Sequence, residues 1–447
     1  RVLSVTAAAI PPSRRRPLSS PRRTTELGLL VLGALITVGA YVLASLGRTA
    51  TIPPHTGAFL AIVLGLGLTA HIATRFLAPD ADPVVLPLVA LLNGLGYVFI
   101  ARLNYKLASL QSVWTALGVG AYIATLALVR RSRDLERYRY LLALAGLGLM
   151  LAPLAPVIGR TINGARLWIR LGAVSFQPVE LAKIALAIFF ASYFVEKRSV
   201  LSEPTLRVGD RLVPDPRPMG PVLLAWGLSL VVMTAERDIG FSLLFFVMFI
   251  VMLWISTGRF AYLVVGAVLF LIGAVLAVHL FGHVHARIAI WLNPWPRRDA
   301  SGYQIVQAQY ALGTGGLAGS GLGLGRPQLI PVVASDFIFA AVGEELGLLG
   351  TSAIVFAFML FVGAGLRTAL RARSEFAGLL AAGFTAVIGF QAFFIMAGVV
   401  RLLPLTGVTL PFVAYGGSSL VANYILLALL QRISAESGPS ASEAAWD

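Results

Sequence analysis

The hydrophobic positions of the chain fall into twelve long runs that are separated by shorter polar intervals. A helix that crosses a bilayer needs about 20 mostly apolar residues. By this rule, spanning helices are predicted at 27–46, 57–77, 83–101, 111–129, 139–158, 178–195, 219–236, 239–257, 260–281, 334–360, 376–398 and 409–431. The pattern therefore predicts an all-α polytopic integral membrane protein with about twelve transmembrane helices.

The polar intervals complete this domain plan. The longest of them, about 283–333, is predicted to form one large loop on the outer side of the membrane. Residues 1–26 and 434–447 are rich in Pro, Ser, Ala or charged residues and are predicted to be disordered tails. A transmembrane domain over 27–433 lies between them.

Composition agrees with a membrane protein and excludes several other classes. Of the 447 residues, 58% are hydrophobic and 12% are charged, whereas soluble domains carry about 25% charged residues. The chain has no cysteine, which excludes disulfides and thiolate chemistry. The net charge of +15 fits basic loops that face anionic lipid, so no nucleic-acid partner is expected.

The distribution of basic residues predicts the orientation. An even number of spans places both termini on one side, and the basic cluster before residue 24 assigns that side to the cytoplasm. Alternate loops agree, because three of them are rich in Arg and Lys: 130–139, 197–217 and 367–373. The exceptions are arginines on or near the outer side, which either lie at the lipid interface or bind an anion such as a lipid diphosphate. They are Arg160, Arg166, Arg170, Arg237, Arg287, Arg297, Arg298, Arg326 and Arg401.

An ion pair is predicted at the start of the sixth span. Glu180 and Lys183 follow Pro178 at i, i+3 spacing, which places both charges on one helix face. A simple interfacial helix start would explain them, but ionisable residues inside an apolar segment are costly and are functional by default.

Three further segments put polar groups beside or inside apolar runs. Glu236, Arg237 and Asp238 form either a tight external turn or part of an outward cavity, and their spacing does not decide between the two. Asp336 can cap a helix, whereas Glu344 and Glu345 fall within a span and are expected to have buried partners such as arginines.

The segment 401–430 carries prolines and glycines around a group of hydroxyl side chains. A broken backbone at membrane depth must be buried in protein or line a cavity, so this segment is expected to offer hydroxyl and backbone donors to a ligand. The hydroxyl residues are Thr406, Thr409, Tyr415, Ser418 and Ser419. The nearby histidines at 279, 283 and 285 lack a carboxylate at motif spacing, and no metal ligands are assigned.

Five segments together resemble the SEDS (shape, elongation, division and sporulation) family, which contains the RodA and FtsW polymerases of the bacterial cell wall. They read NGARLWIRLG…FQPVELAK at 163–183, ERDIGFS at 236–242, WLNPWPRRDASGYQIVQ at 291–307, SDFIFAAVGEELGLLG at 335–350 and PLTGVTLPFVAYGGSS at 404–419. Members usually have ten spans, and the two additional N-terminal spans resemble actinobacterial members.

The resemblance implies a peptidoglycan glycosyltransferase of the bacterial plasma membrane that polymerises lipid II for cell shape, elongation or division. It also implies a class B penicillin-binding protein as partner. Such a transfer needs a general base for the incoming hydroxyl. It also needs cationic side chains, or a divalent cation (Mg²⁺ or Mn²⁺), for the departing diphosphate.

The chain departs from the family pattern at the proposed catalytic aspartate. In the usual loop NPW-x-D-P-x-G-x-GYQ this position holds aspartate, whereas here it holds Arg297, and Arg298 replaces the proline. Asp299 follows two residues later, at most about 7 Å along an extended chain, and it is the predicted catalytic base. The predicted substrate-binding residues are Arg166, Glu180, Lys183, Asp238, Arg297, Arg298, Gln304, Asp336, Glu344, Thr406, Ser418 and Ser419.

The sequence leaves two alternative functions open. Because Arg297 replaces the usual aspartate, the chain is alternatively a catalytically weak or inactive scaffold that regulates a penicillin-binding protein. A flippase of lipid-linked precursors is the other alternative, although no inverted halves with matching broken helices are evident.

Overall fold

The computed structural model describes residues 21–51, 56–155, 158–162, 165–171, 174–202, 206–208, 211–213, 227 and 239–437. The predicted span 219–236 lies outside the described residues except for Gly227. So do Asp238, the first part of the predicted N-terminal tail and the residues after 437.

The described residues form fourteen α-helices. They are α1 (Pro21–Thr49), α2 (Thr56–Leu77), α3 (Val85–Leu103), α4 (Tyr105–Leu128), α5 (Arg139–Leu151), α6 (Val179–Glu196), α7 (Arg198–Ser202), α8 (Ile239–Thr257), α9 (Ala261–Leu280), α10 (Gly282–Leu292), α11 (Tyr303–Gly315), α12 (Ile338–Arg371), α13 (Glu375–Val399) and α14 (Gly417–Glu436). Within the described ranges, eight of these helices are long and apolar enough to cross a membrane: α1, α3, α4, α8, α9, α12, α13 and α14. The helical membrane fold is thus confirmed, and α2, α5 and α6 coincide with three further predicted spans. The count of twelve spans is not confirmed.

Several boundaries differ from those predicted, for identifiable reasons. α1 begins at Pro21, inside the predicted tail 1–26, because proline suits the first turn of a helix. α5 ends at Leu151 rather than near 158, since Pro153 cannot continue the helical hydrogen bonds. α4 begins earlier than predicted because the Asn104 side chain caps it, accepting from the backbone N–H of Lys106 at 2.9 Å.

The predicted large loop 283–333 contains regular structure. It includes the helices α10 and α11, joined by a compact turn over residues 293–302. Both helices contain polar residues, because each buries only part of its surface. A search for long apolar runs therefore does not find them.

Two small antiparallel sheets accompany the helices. β1 (Gly159–Ile162), β2 (Ala165–Leu171) and β3 (Val174–Phe176) form one sheet in that order, with Ile169 opposite Phe176. β4 (Leu206–Val208) pairs with β5 (Arg211–Val213) in the other. The first sheet leads the chain from α5 directly into the N-terminus of α6.

The core is centred on α6, which is buried along almost its whole length and packs against α5, α8 and α13. Phe190, Phe194 and Phe249 form an aromatic cluster there, with ring centroids 5.6–5.9 Å apart. α14 packs against α4, and Arg432 fixes its C-terminal end. The Arg432 guanidinium donates to the carbonyls of Leu77, Leu126 and Val129, which lack helical partners at the C-termini of α2 and α4.

Candidate functional site

The first turn of α6 carries a buried ion pair. The Nζ of Lys183 lies 2.6 Å from Oε2 of Glu180, and each side chain is only 1% exposed. The predicted i, i+3 pair is therefore present, and it lies inside the protein rather than at the lipid interface.

Lys183 also binds side chains from two other helices. Its ammonium group donates to Oε1 of Gln391 on α13 at 3.0 Å and to Oδ1 of Asn423 on α14 at 2.8 Å. A buried ammonium needs several acceptors to offset its desolvation, and here three helices provide them.

Hydroxyl and amide groups extend this arrangement. Oγ of Ser419 accepts from Thr409 at 3.0 Å and from the Asn423 amide at 3.3 Å, while Gln391 donates to the Thr409 carbonyl at 3.0 Å. We call the six residues Glu180, Lys183, Gln391, Thr409, Ser419 and Asn423 the polar core network. Beside it, Ser418 accepts from the backbone N–H of Gln177 at 2.9 Å and so ties α14 to the start of α6.

The backbone between α13 and α14 is broken, as the sequence predicts. Residues 404–410 have no regular secondary structure, and φ is positive at Arg401 (62°), Gly407 (77°) and Phe412 (63°). A positive φ is costly for a bulky side chain such as Phe412, and strain of this kind concentrates at functional sites. Tyr415 anchors the segment by donating from its N–H to the Ala334 carbonyl at 2.8 Å.

α10 holds the N-terminal part of the broken segment. Nη1 of Arg287 lies 3.3 Å from the carbonyl oxygens of both Leu405 and Thr406. Trp291 and Arg401 bind each other reciprocally, since the Trp291 indole donates to the Arg401 carbonyl at 3.0 Å and the Arg401 guanidinium donates to the Trp291 carbonyl at 3.1 Å. Thr406 is buried, and its hydroxyl oxygen has no hydrogen-bond partner among the described residues.

Asp336 lies just before α12 and shares Arg287 as a charged neighbour. Burial raises the pKa of Asp336 from its usual 3.8 to about 6, and a hydrogen bond from Ser335 and the positive charge of Arg287 oppose this rise. A carboxyl group that titrates near neutral pH is typical of functional sites. Arg287 thus brings Asp336 and Thr406, both predicted site residues, into one group, which we call the Arg287 cluster.

Glu344 and Glu345 each have a partner, but only the partner of Glu345 is a buried arginine side chain. Oε1 of Glu345 lies 2.5 Å from Nε of Arg102, as expected for a buried carboxylate. Glu344 instead accepts from the backbone N–H of Arg326 at 2.6 Å. Both carboxylates hold the glycine-rich segment 316–326 against α12, so these contacts give Glu344 a structural role in that segment.

Asp299 lies on the surface of the turn between α10 and α11. Its side chain is 90% exposed, and Oδ2 lies 3.5 Å from Nε of Arg298. The N–H groups of Ala300 and Gly302 both donate to the Arg297 carbonyl and close the turn. Asp299, Arg297 and Arg298 are therefore solvent-accessible on one short turn, and Gln304 follows, half-buried, in the first turn of α11.

The remaining predicted residues lie apart. Arg166 on β2 is half-buried and donates at 3.1 Å to the carbonyl of Ala155, which lies between α5 and β1. Asp238 lies outside the described residues. Sequence reasoning missed Gln391, Asn423 and Arg102. An amide inside an otherwise apolar run was a signal for Gln391 and Asn423, whereas Arg102 lies just beyond the predicted span 83–101 and had no such signal.

Within the described ranges, no group of three or more His, Asp or Glu side chains is arranged to hold a metal ion. The predicted residues thus divide into three groups: the polar core network, the Arg287 cluster with Thr406 and Asp336, and the exposed turn with Asp299. The first two groups both include a residue of the broken segment 404–416, Thr409 in the polar core network and Thr406 beside Arg287.

Comparison with known proteins shows which family and which relatives the chain resembles. The family model for FtsW, RodA and SpoVE, described as a cell cycle protein, matches residues 83–438. Peptidoglycan glycosyltransferase RodA of Mycobacterium tuberculosis (strain ATCC 25618 / H37Rv) is 42% identical over 424 residues, which cover 92% of this chain and 90% of that protein. A probable peptidoglycan glycosyltransferase FtsW of Geobacter sp. (strain M18) is 37% identical over 288 residues, covering 64% and 76% respectively.

Solved structures show the same likeness. A chain from a peptidoglycan synthase complex that coordinates polymerization and crosslinking is similar, with a TM-score of 0.67 and 27% identity over 80% of this chain and 98% of that chain. The rod shape determining protein RodA of Thermus thermophilus gives a TM-score of 0.57 and 26% identity, with the same coverage.

Proposed function

The chain belongs to the FtsW, RodA and SpoVE family and is a peptidoglycan glycosyltransferase, and we propose that it polymerises lipid II at an outward-facing site in the membrane. The observation that carries the proposal is the junction of the buried Lys183 network with the Arg287 cluster in one broken membrane segment. This junction supplies cationic and hydroxyl groups for a lipid-linked diphosphate sugar.

The proposed reaction joins two sugars with inversion at the anomeric carbon. A sugar 4-hydroxyl attacks that carbon and a new glycosidic C–O bond forms, while the bond to the diphosphate breaks and undecaprenyl diphosphate leaves with both bonding electrons. A general base accepts the hydroxyl proton. Cations near the diphosphate stabilise the negative charge that develops on it.

Asp299 is the proposed general base. It lies on an exposed turn, where a carboxylate can reach an incoming substrate, and its neighbours Arg297 and Arg298 attract an anionic substrate. Arg287 and Lys183 are the proposed cationic groups for the diphosphate, with Ser418, Ser419 and Thr406 as hydroxyl donors. Asp336, with its raised pKa, is the proposed carboxyl group within the pocket itself.

A divalent cation is compatible with this donor set. Mg²⁺ is commonly bound by one or two carboxylates together with substrate phosphates rather than by an all-protein cage. Asp299 or Asp336 would provide such a carboxylate, and Mg²⁺ or Mn²⁺ would neutralise charge on the diphosphate.

The family and the charge pattern support a membrane location and a partner for this reaction. The chain is a multi-pass membrane protein, and we place it in the bacterial plasma membrane with both termini in the cytoplasm, since the basic loops alternate with apolar spans. A class B penicillin-binding protein is the proposed partner. The similarity to a chain of a synthase complex that coordinates polymerization with crosslinking supports this pairing.

The test is glycan synthesis from purified lipid II by the purified full-length chain, with its partner transpeptidase present. Wild type is compared with Asp299→Ala, and Ser301→Ala is the matched control because Ser301 is an exposed residue of the same turn. Glycan from wild type and the control, but not from Asp299→Ala, supports the proposal. Equal glycan from all three would exclude Asp299 as the base.

The same assay separates the alternatives. No glycan from wild type, with the transpeptidase bound, would favour the scaffold that Arg297 suggests. Movement of lipid II across vesicle membranes without polymer would favour a flippase.

A further inference from the structure

A cavity of about 300 Å³ lies between α1, α2, α3 and α4, and among the described residues its lining includes none of the polar core network. α1 and α2 both precede residue 83, where the match to the family model begins. Two of the four helices around the cavity therefore precede the matched region, whereas α3 and α4 lie within it.

The cavity wall suits hydrocarbon. Leu27, Leu30, Val31 and Ala34 line it from α1, with mostly apolar residues from the other helices. Three of the hydroxyls in the wall donate to carbonyls of their own helices and so do not require a polar ligand. These bonds run from Thr37 to Gly33 at 2.8 Å, Ser112 to Ala108 at 3.1 Å and Thr115 to Gln111 at 2.8 Å.

A charged group, which we call the basic cluster, lies at one end of this cavity and consists of Arg23, Glu26, His71 and Arg75. Glu26 and His71 are 5% and 1% exposed, and Nδ1 of His71 lies 2.7 Å from Oε1 of Glu26. Arg75 approaches the Arg23 carbonyl at 3.4 Å. The Nε atoms of both arginines are buried and have no hydrogen-bond partner in the described part of the chain.

The charges of the basic cluster do not balance. Two guanidinium groups face a single carboxylate, so at least one positive charge remains even when His71 is neutral. Buried guanidinium donors without partners, in a cluster with surplus positive charge, fit an anionic oxygen ligand such as a phosphate.

The cluster and the cavity share helix faces. Arg23, Leu27, Leu30 and Ala34 follow one another at spacings of three or four residues, as do Gly67, His71 and Arg75 on α2. From Arg23 to Ala34 a helix rises about 16 Å, which is close to the hydrocarbon depth of one leaflet, roughly 15 Å. A phosphate at the arginines would thus place an attached acyl chain along the cavity.

We propose that the cavity and the basic cluster together bind one anionic glycerophospholipid of the surrounding bilayer. Its phosphate contacts Arg23 and Arg75, and one acyl chain fills the space between α1 and α2. Basic pockets between transmembrane helices are suited to anionic lipid headgroups. The site does not depend on the glycosyl transfer proposed above.

The test is native mass spectrometry of the full chain, delipidated in detergent and titrated with phosphatidylglycerol or phosphatidylcholine. Wild type is expected to bind one phosphatidylglycerol about tenfold more tightly than phosphatidylcholine. Gly67→Phe fills the cavity and is expected to lose this binding. Gly65→Phe is the matched control, because both glycines lie on α2 with open space around an added Cβ but only Gly67 lines the cavity.

The headgroup contact is tested with Arg75→Gln. This variant is expected to bind the two lipids equally, whereas Arg371→Gln, at the exposed end of α12, should keep the wild-type preference. Equal melting temperatures of Gly67→Phe and Gly65→Phe in detergent micelles that contain phosphatidylcholine show that the filled variant is folded. Retained phosphatidylglycerol preference in folded Gly67→Phe, or in Arg75→Gln, would overturn the proposal.

Discussion

Lys183 and Asn423 lie 240 residues apart in sequence, yet the ammonium nitrogen of the first is 2.8 Å from the amide oxygen of the second. This bond joins α6 to α14 at the point where the broken segment 404–416 enters the core. The same ammonium also binds Glu180 and Gln391, so a single side chain fixes the relative positions of three helices.

Lys183→Met is expected to lower stability strongly. The substitution leaves the Glu180 carboxylate buried without its counter-charge, which typically costs about 3–5 kcal/mol. Thermal melting of the purified protein in detergent measures the loss. Lys197→Met is the matched control, since Lys197 pairs with Glu196 where both side chains are about a third exposed, and such pairs contribute at most about 1 kcal/mol.

The double variant Glu180→Gln/Lys183→Met separates structure from function. Removing both charges should restore much of the stability, because no buried charge remains unpaired. If Lys183 binds the diphosphate, glycan synthesis should stay reduced by about tenfold or more, a loss of about 1.4 kcal/mol in transition-state binding. Recovery of activity along with stability would make the pair purely structural.

Asp336→Asn is expected to stabilise the protein at neutral pH. The folded-state pKa of about 6 exceeds the usual 3.8. Between these values the folded chain keeps a proton that the unfolded chain has lost, so stability falls as the pH rises through this window. Above pH 6 the charge on this partly buried carboxylate opposes folding, and asparagine should recover about 1–3 kcal/mol.

Melting temperatures at pH 7.5 and pH 4 measure this effect. The gain of Asp336→Asn over wild type should be present at pH 7.5 and small at pH 4, where the carboxyl is mostly protonated in the folded chain. Asp299→Asn should change neither temperature, because its side chain is 90% exposed. If Asp336 also acts in the functional site, Asp336→Asn should synthesise less glycan than wild type although it is more stable. Such a trade-off between activity and stability is common at functional sites.

Local spacing was enough to predict the Glu180–Lys183 pair and the broken segment around Thr406, because each lies within a few residues of chain. The acceptors Gln391 and Asn423 could not be predicted, since their partners come from other helices and only tertiary packing selects them. The α10 and α11 helices were missed for a related reason, as each buries only part of its surface. Glu345 was expected to have an arginine partner, but nothing local identified Arg102.

Arg102→Ala is expected to release the glycine-rich segment 316–326. Arg102 pairs with Glu345 and donates to the Gly325 carbonyl at 2.5 Å, while Glu345 accepts from the Gly323 N–H at 3.1 Å. Hydrogen exchange of the amides of residues 319–326 should accelerate in the variant. Arg48→Ala is the control, because Arg48 is exposed and contacts only the Arg102 carbonyl among the hydrogen bonds described for its side chain. Unchanged exchange in Arg102→Ala would show that backbone contacts alone hold the segment.

The position of the proposed catalytic carboxylate can be tested by moving it from residue 299 to residue 297 of the exposed turn. Asp299→Ala should abolish glycan synthesis, and Arg297→Asp/Asp299→Ala moves the carboxylate back by two positions, at most about 7 Å along the chain. The turn is short, since the N–H groups of Ala300 and Gly302 both donate to the Arg297 carbonyl. A base must lie within hydrogen-bond reach of the proton it accepts, and both positions lie on the same accessible turn.

Recovery to at least about tenfold above Asp299→Ala is therefore expected for the double variant. Arg297→Asp alone adds a second carboxylate to the turn and keeps Asp299. A higher glycan output than wild type in this variant would mean that Asp299 is poorly placed as the base. Circular dichroism and melting curves provide the folding control for all three variants. If the double variant folds but makes no glycan while wild type does, a carboxylate at position 297 cannot replace Asp299. If Asp299→Ala itself retains full activity, the base lies elsewhere, and Asp336 is the carboxyl group to test next.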